Sequence, residues 1–147
     1  MIKISRLADY GTLILSRLAN KSDQRLSAHQ ISEDTQLPIP TVSKLLKLLN
    51  EANIVSSTRG ANGGYQLNRP PDKISVAEII YAIDGPLAMT ECSKSIENCT
   101  RHEFCGLRHN WQYINSMILL LLQQLSLADM NQPLKKVISL QVLANES

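Results

Sequence analysis

From residue 4 to residue 19, apolar positions recur at spacings of three and four: Ile4, Leu7, Gly11, Ile14, Leu15 and Leu18. That period puts them on one side of an α-helix. The polar stretch from Asn20 to Arg25 separates this helix from a second one opening at Ser27. Ser27 and Gln30 have the spacing of a capping box, in which two side chains satisfy free amides of the first turn. The segment Gln36-Leu37-Pro38-Ile39-Pro40 closes the second helix, because proline lacks an amide hydrogen and restricts the residue before it. A third helix, Thr41 to Ala52, starts at Pro40, where the missing amide costs nothing. Its apolar stripe is Val42, Leu45, Leu46 and Leu49, and its opposite face carries Thr41, Ser43, Lys44 and Lys47.

The pattern then shortens. Asn53 to Ser57 and Tyr65 to Leu67 flank the glycine-rich Thr58–Gly64 stretch, which predicts two brief strands in a β-hairpin. Ser75 and Glu78 mark another capping box, opening a helix with Val76, Ile79, Ile80 and Ile83 inward, and Gly85-Pro86 stops it. Residues 87–105 are polar. A long helix is predicted from about residue 101 to about residue 125, with Thr100 and Glu103 at its start and a small amphipathic helix in the 133–147 tail. The expected fold is mainly α with a small β-hairpin wing: a winged helix-turn-helix plus a long dimerisation helix. The corresponding divisions are residues 1–86 for the DNA-binding unit, 87–105 for a cysteine loop, 106–130 for the long helix and 131–147 for the tail.

A helix, a tight turn, a polar-faced helix and a hairpin together suit double-stranded DNA, whose major groove admits an α-helix. Thr41, Ser43 and Lys44 are then the base-edge candidates and Lys47 a phosphate contact. Arg59, at the wing root among glycines, is placed to enter the minor groove or to bind phosphate. The competing reading is a structural or protein-binding module. Charge leans toward a polyanion: residues 1–69 hold nine Lys/Arg against five Asp/Glu, whereas residues 70–147 hold six against eight.

With 44% apolar and only 4% aromatic residues, the chain predicts a globular core built on Leu, Ile and Val. Its start has no secretory pattern, and the longest apolar run, Met117 to Leu122, is far short of a membrane span. The expected location is the cytoplasm. The glycines at 60–64 belong to a hairpin and do not precede a helix, and no catalytic set accompanies them, so an enzyme is not expected.

All three cysteines, Cys92, Cys99 and Cys105, fall in one polar stretch with spacing C-x6-C-x5-C. Zinc sites favour tighter C-x2-C hooks; a looser loop suits an iron–sulfur cluster held by thiolates, with a redox thiol pair as the rival. If a helix starts near Arg101, His109 stands one turn from Cys105 and could add a donor. The run from Trp111 to Met130 has apolar residues on more than one side, so it is expected to pack against its own domain and a second copy of the chain.

Taken together, LADYGTLILSRLA, PTVSKLLKLL, RGANGGYQL, SVAEIIYAIDGP, the spaced cysteines and SLADM resemble the IscR/NsrR-type family of winged-helix regulators. LAMTEC, CGLRHNW and the following IN most resemble regulators of the SUF iron–sulfur assembly operon. The resemblance implies a homodimer, a cluster on Cys92, Cys99 and Cys105, and DNA binding governed by cluster state. The fourth ligand stays open. IscR-like members place histidine three residues after the last cysteine, where this chain has Arg108 and then His109. NsrR-like members use an aspartate of the first helix, at the position of Asp9. A [2Fe–2S] cluster is favoured over [4Fe–4S]. Ser43 stands where some IscR-type proteins carry glutamate, so their site switching is not carried over. The expected function is an iron–sulfur-responsive repressor of assembly genes, with nitric oxide or redox sensing on the same scaffold as the alternative.

Overall fold

The computed structural model describes residues 3–95, 99–100 and 104–135. Helix α1 spans Arg6–Asn20, with Ser5 as its N-cap accepting the Ala8 amide at 3.0 Å. Ile4 therefore lies outside the helix and is 51% exposed rather than part of the buried stripe. A Cβ at Gly11 would run into the Ile83 side chain, so glycine lets α1 lie close against helix α4, Val76–Asp84. The Ser5 hydroxyl donates to Asp84 at 2.7 Å and ties the two helix ends.

Helix α2 spans Ala28–Thr35 and helix α3 spans Ile39–Glu51. The capping box read at Ser27 and Gln30 is present, as is the one at Ser75 and Glu78 that opens α4. Gln36, at φ 60°, turns the chain between α2 and α3. Helix α3 begins two residues before Thr41: Pro40 sits inside its first turn, where no intrahelical amide bond is lost. Arg17 of α1 and Lys21, the C-cap residue that follows the helix, reach Asp34 of α2 at 2.7 and 3.1 Å. The hydrogen bond from Arg17, supported by Lys21, holds the Asp34 carboxyl at about 2, well below the usual carboxylate range.

Strands β1, Val55–Thr58, and β2, Gly64–Leu67, pair antiparallel from Val55 opposite Leu67 to Thr58 opposite Gly64. A further bridge ties the hairpin to the chain entering α2: Leu26 and Tyr65 exchange backbone hydrogen bonds of 3.0 and 2.8 Å. Arg69, just after β2, pairs with Glu78 of α4 at 2.9 Å. Partial burial opposes ionisation of Glu78, but hydrogen bonds from Ser75 and Arg69 outweigh it and lower its pKa. One main core runs through these elements, with Ile14, Leu15, Ile31, Val42, Leu45, Leu46, Leu49 and Ile79 fully buried.

After α4 come a short helix α5, Glu91–Lys94, the long helix α6, Arg108–Gln124, and a single-turn helix α7, Leu127–Met130. The sequence predicts one helix from about residue 101 to about residue 125; α6 ends at Gln124, close to that expectation, and departs from it at the start. Residues 104–107 form a turn, so α6 starts at Arg108; Arg101, His102 and Glu103 lie outside the described residues. At the far end Leu125 becomes extended and Ser126 with Asp129 forms a capping box for α7. The break has a job. The Leu125 carbonyl accepts the Val76 amide and the Leu127 amide donates to Ile74, both at 2.8 Å, so the exit of α6 is zipped to the entry of α4. Most of the proposed tail helix, residues 136–147, also lies outside the described residues.

Candidate nucleic-acid interface and cysteine segment

With 3.6 residues per turn, burial divides α3 sharply. Val42, Leu45, Leu46 and Leu49 face the core at 0% exposure, whereas Pro40, Ser43, Lys44 and Lys47 are exposed on the opposite side. Thr41 lies off this face, on the flank, and is half-buried. The outward surface thus holds three of the four α3 residues expected there. Ile39, at the first position of α3 and one turn from both Val42 and Ser43, is also 38% exposed, because the core does not reach beneath the helix end.

Arg59 is exposed in the turn after β1, next to Gly60 at φ 110°. Lys44, Lys47 and Arg59 form no ion pair among the described residues, in contrast to Arg17, Lys21 and Arg69, which brace the fold. Charges not engaged internally are available to phosphate.

The three cysteines are half-buried and form no disulfide. Cys92 lies in the first turn of α5, its Sγ 3.1 Å from the Thr90 hydroxyl. Helix α6 clamps the chain leading to it: Asn115 accepts the Met89 amide at 3.0 Å and donates to the Leu87 carbonyl at 3.2 Å, while Gln112 reaches the Cys92 carbonyl at 3.5 Å. Sequence reasoning assigned no role to Gln112 and Asn115, whose contacts reach across the chain. Cys105 is in the turn before α6 and His109 is exposed in its first turn. The two do not share a helical face, because the helix starts after Cys105. Asp9 is exposed in the first turn of α1. Among the described residues, no three His, Cys, Asp or Glu side chains are gathered as a metal-binding group. The donor chemistry suits an iron–sulfur cluster, but the thiols are not brought together around one point.

Helix α6 buries none of its residues fully; Met117 to Leu122 are all half-buried. No described helix is long and apolar enough to cross a membrane.

The chain matches the Rrf2 family model, described as an iron-dependent transcriptional regulator, over residues 4–133. It is 30% identical over 130 residues to protein rrf2 of Nitratidesulfovibrio vulgaris, covering 88% of this chain and 87% of that one. Its fold is similar to that of CymR, the global cysteine regulator of B. subtilis, with a TM-score of 0.70 and 30% identity, covering 89% and 97% of the two chains. It is also similar to T. potens IscR, with a TM-score of 0.69 and 27% identity over 96% of each chain. Such relatives are DNA-binding transcription regulators and not enzymes, which agrees with an exposed, cationic α3 face beside a wing. With a single family model spanning nearly the whole winged-helix and α6 architecture, this chain belongs to the Rrf2 family of transcriptional regulators.

Proposed function

We propose that the protein is an iron–sulfur-responsive repressor of iron–sulfur cluster assembly genes, acting as a homodimer on double-stranded promoter DNA. The observation that carries this reading is a set of three unbridged thiols, the first of them in a stretch held against α6 by Gln112 and Asn115. Cys92, Cys99 and Cys105 would hold the cluster, with His109 or Asp9 of the partner subunit as the further ligand. A bound cluster supplies a group whose integrity depends on iron supply and oxidants. The chain's own part is mechanical. A cluster held by the cysteines would act on α6 through the Gln112 and Asn115 contacts, and α6 is zipped at Leu125 to Val76 at the head of α4. Glu78 of that first turn holds Arg69 at the foot of the wing. Cluster state would thereby bias the wing and the spacing of two recognition helices, a coupling between distinct sites. The half-buried leucines of α6 favour a second copy of the chain as its cover.

Protein purified without oxygen is expected to be brown, and a Cys92/Cys99/Cys105 triple alanine variant colourless; a wild-type protein without iron or visible absorbance sinks the cluster reading. A second reading, thiol-redox or nitric oxide sensing, draws on the ungathered cysteines. Titrating nitric oxide against DNA affinity separates the two, because an assembly regulator responds chiefly to cluster loss.

For the interface, Arg59→Ala is expected to weaken promoter binding by about 10-fold or more, the scale of one specific arginine contact. Lys135→Ala, at an exposed position beyond α7, should leave binding unchanged. Equal affinities of the two variants in a gel-shift titration at fixed salt would remove Arg59 from the interface.

A further inference from the structure

The leading end of the DNA-reading helix is apolar. Pro38, Ile39 and Pro40 are all exposed, and Ile39 is 38% exposed although Val42, one turn further on, is at 0%. Helix N-termini usually attract anions through their free amides, but two of the three consecutive residues here are prolines and contribute none. No side chain caps this end either. Along the exposed side of α3 the chemistry then changes, from Pro40, with Ile39 on its flank, to the hydroxyl of Ser43 and the cations of Lys44 and Lys47. One surface therefore offers hydrocarbon at its leading edge and positive charge behind it.

That order matches one feature of duplex DNA. The major groove presents donors and acceptors on every base, and a single apolar group, the C5-methyl of thymine. With Lys44 and Lys47 directed at phosphate, the leading end of α3 goes toward the groove floor, where an exposed isoleucine gains nothing from a polar edge. We propose that Ile39 is a specificity-determining residue that packs on a thymine methyl in the operator, with Pro40 beside it. This rests on the DNA-binding reading above, and the test keeps the two apart.

The full-length protein is used to enrich binding sites from a randomised duplex library, and the winning duplex is resynthesised with deoxyuridine replacing one thymine at a time. Deoxyuridine keeps the Watson–Crick pair and removes only the methyl. Wild-type protein should lose about 4-fold in affinity at the contacted thymine, the worth of one methyl group withdrawn from an apolar contact. Ile39→Ala should bind the thymine duplex about as weakly as wild type binds the deoxyuridine duplex, and should not distinguish the two; Ile39→Val should fall between. At 38% exposure Ile39→Ala should lower the melting temperature only slightly, and binding measured well below it excludes misfolding as the cause. If no site is enriched, the DNA-binding reading falls and this proposal with it. An enriched site to which wild type binds equally with every thymine replaced, or a deoxyuridine penalty that persists in Ile39→Ala, overturns the role of Ile39 and leaves DNA binding intact.

Discussion

Gly64→Ala is expected to lower the melting temperature by about 10 °C and to reduce DNA affinity at least as far as loss of Arg59 does. Gly64 has φ 136°, a conformation that side-chain-bearing residues adopt only with strain of about 1–3 kcal/mol. A Cβ there would also stand 2.7 Å from the Leu26 carbonyl oxygen and 3.2 Å from the Ser27 nitrogen. Both are backbone atoms, so relief requires moving the chain. What moves is the paired contact in which Leu26 and Tyr65 exchange hydrogen bonds of 3.0 and 2.8 Å, worth about 1 kcal/mol each. Ser27, the next residue, is the N-cap of α2, so the wing and the first helix of the DNA-binding pair are displaced together. About 3 kcal/mol in total, at about 3–4 °C per kcal/mol for a protein of this size, gives the expected shift. Gly60→Ala is the control. Gly60 also has positive φ, at 110°, but an added Cβ meets nothing within 4 Å, so strain alone remains. Equal melting temperatures for the two variants would show that the Leu26–Tyr65 junction does not hold the wing.

Where local chemistry decides a structure, the chain was readable. Ser27 with Gln30 and Ser75 with Glu78 place helix starts through their own hydrogen bonds, and glycines 60–64 between two short apolar stretches specify the hairpin. The α3 stripe was readable because all its members face one core. Ile39 was not, since spacing puts it one turn from Val42 while burial depends on how far the core extends beneath the helix end. The start of α6 misled for a different reason. Thr100 and Glu103 looked like a helix start, yet α6 begins at Arg108 with no side-chain cap. Its end falls near residue 125 as expected, and the Ser126-x-x-Asp129 capping box beyond it opens the separate turn α7. For the candidate cluster site, spacing identifies three donors but not their convergence, which is a property of loop closure and of any second subunit. Contacts made by Gln112 and Asn115 across 20 and 26 residues leave no local trace at all.

Leu127→Ala should be the most damaging substitution outside the DNA-binding unit. Among the described residues it is the only one after α4 whose side chain belongs to the main core, and it is 0% exposed. Truncating a buried leucine costs about 2–5 kcal/mol, from lost transfer energy and the cavity left behind, so a fall of about 10 °C in melting temperature is expected. Leu134→Ala, at a position 57% exposed, should change stability by less than about 0.5 kcal/mol. The more telling consequence concerns coupling. Leu127 pins the α6–α7 junction so that its amide meets Ile74 and the Leu125 carbonyl meets Val76. With the pin shortened, amide exchange at Val76 and Leu127 should accelerate ahead of exchange in α3, because this junction opens locally before the core does. If cluster state reaches the wing through that junction, the difference in DNA affinity between cluster-loaded and cluster-free protein should shrink in Leu127→Ala, measured below its melting temperature. Unchanged coupling in a protein with accelerated exchange at Val76 would mean that the signal travels by another route, such as the contact of Leu122 with the small cluster of Ala8, Val76 and Ile80.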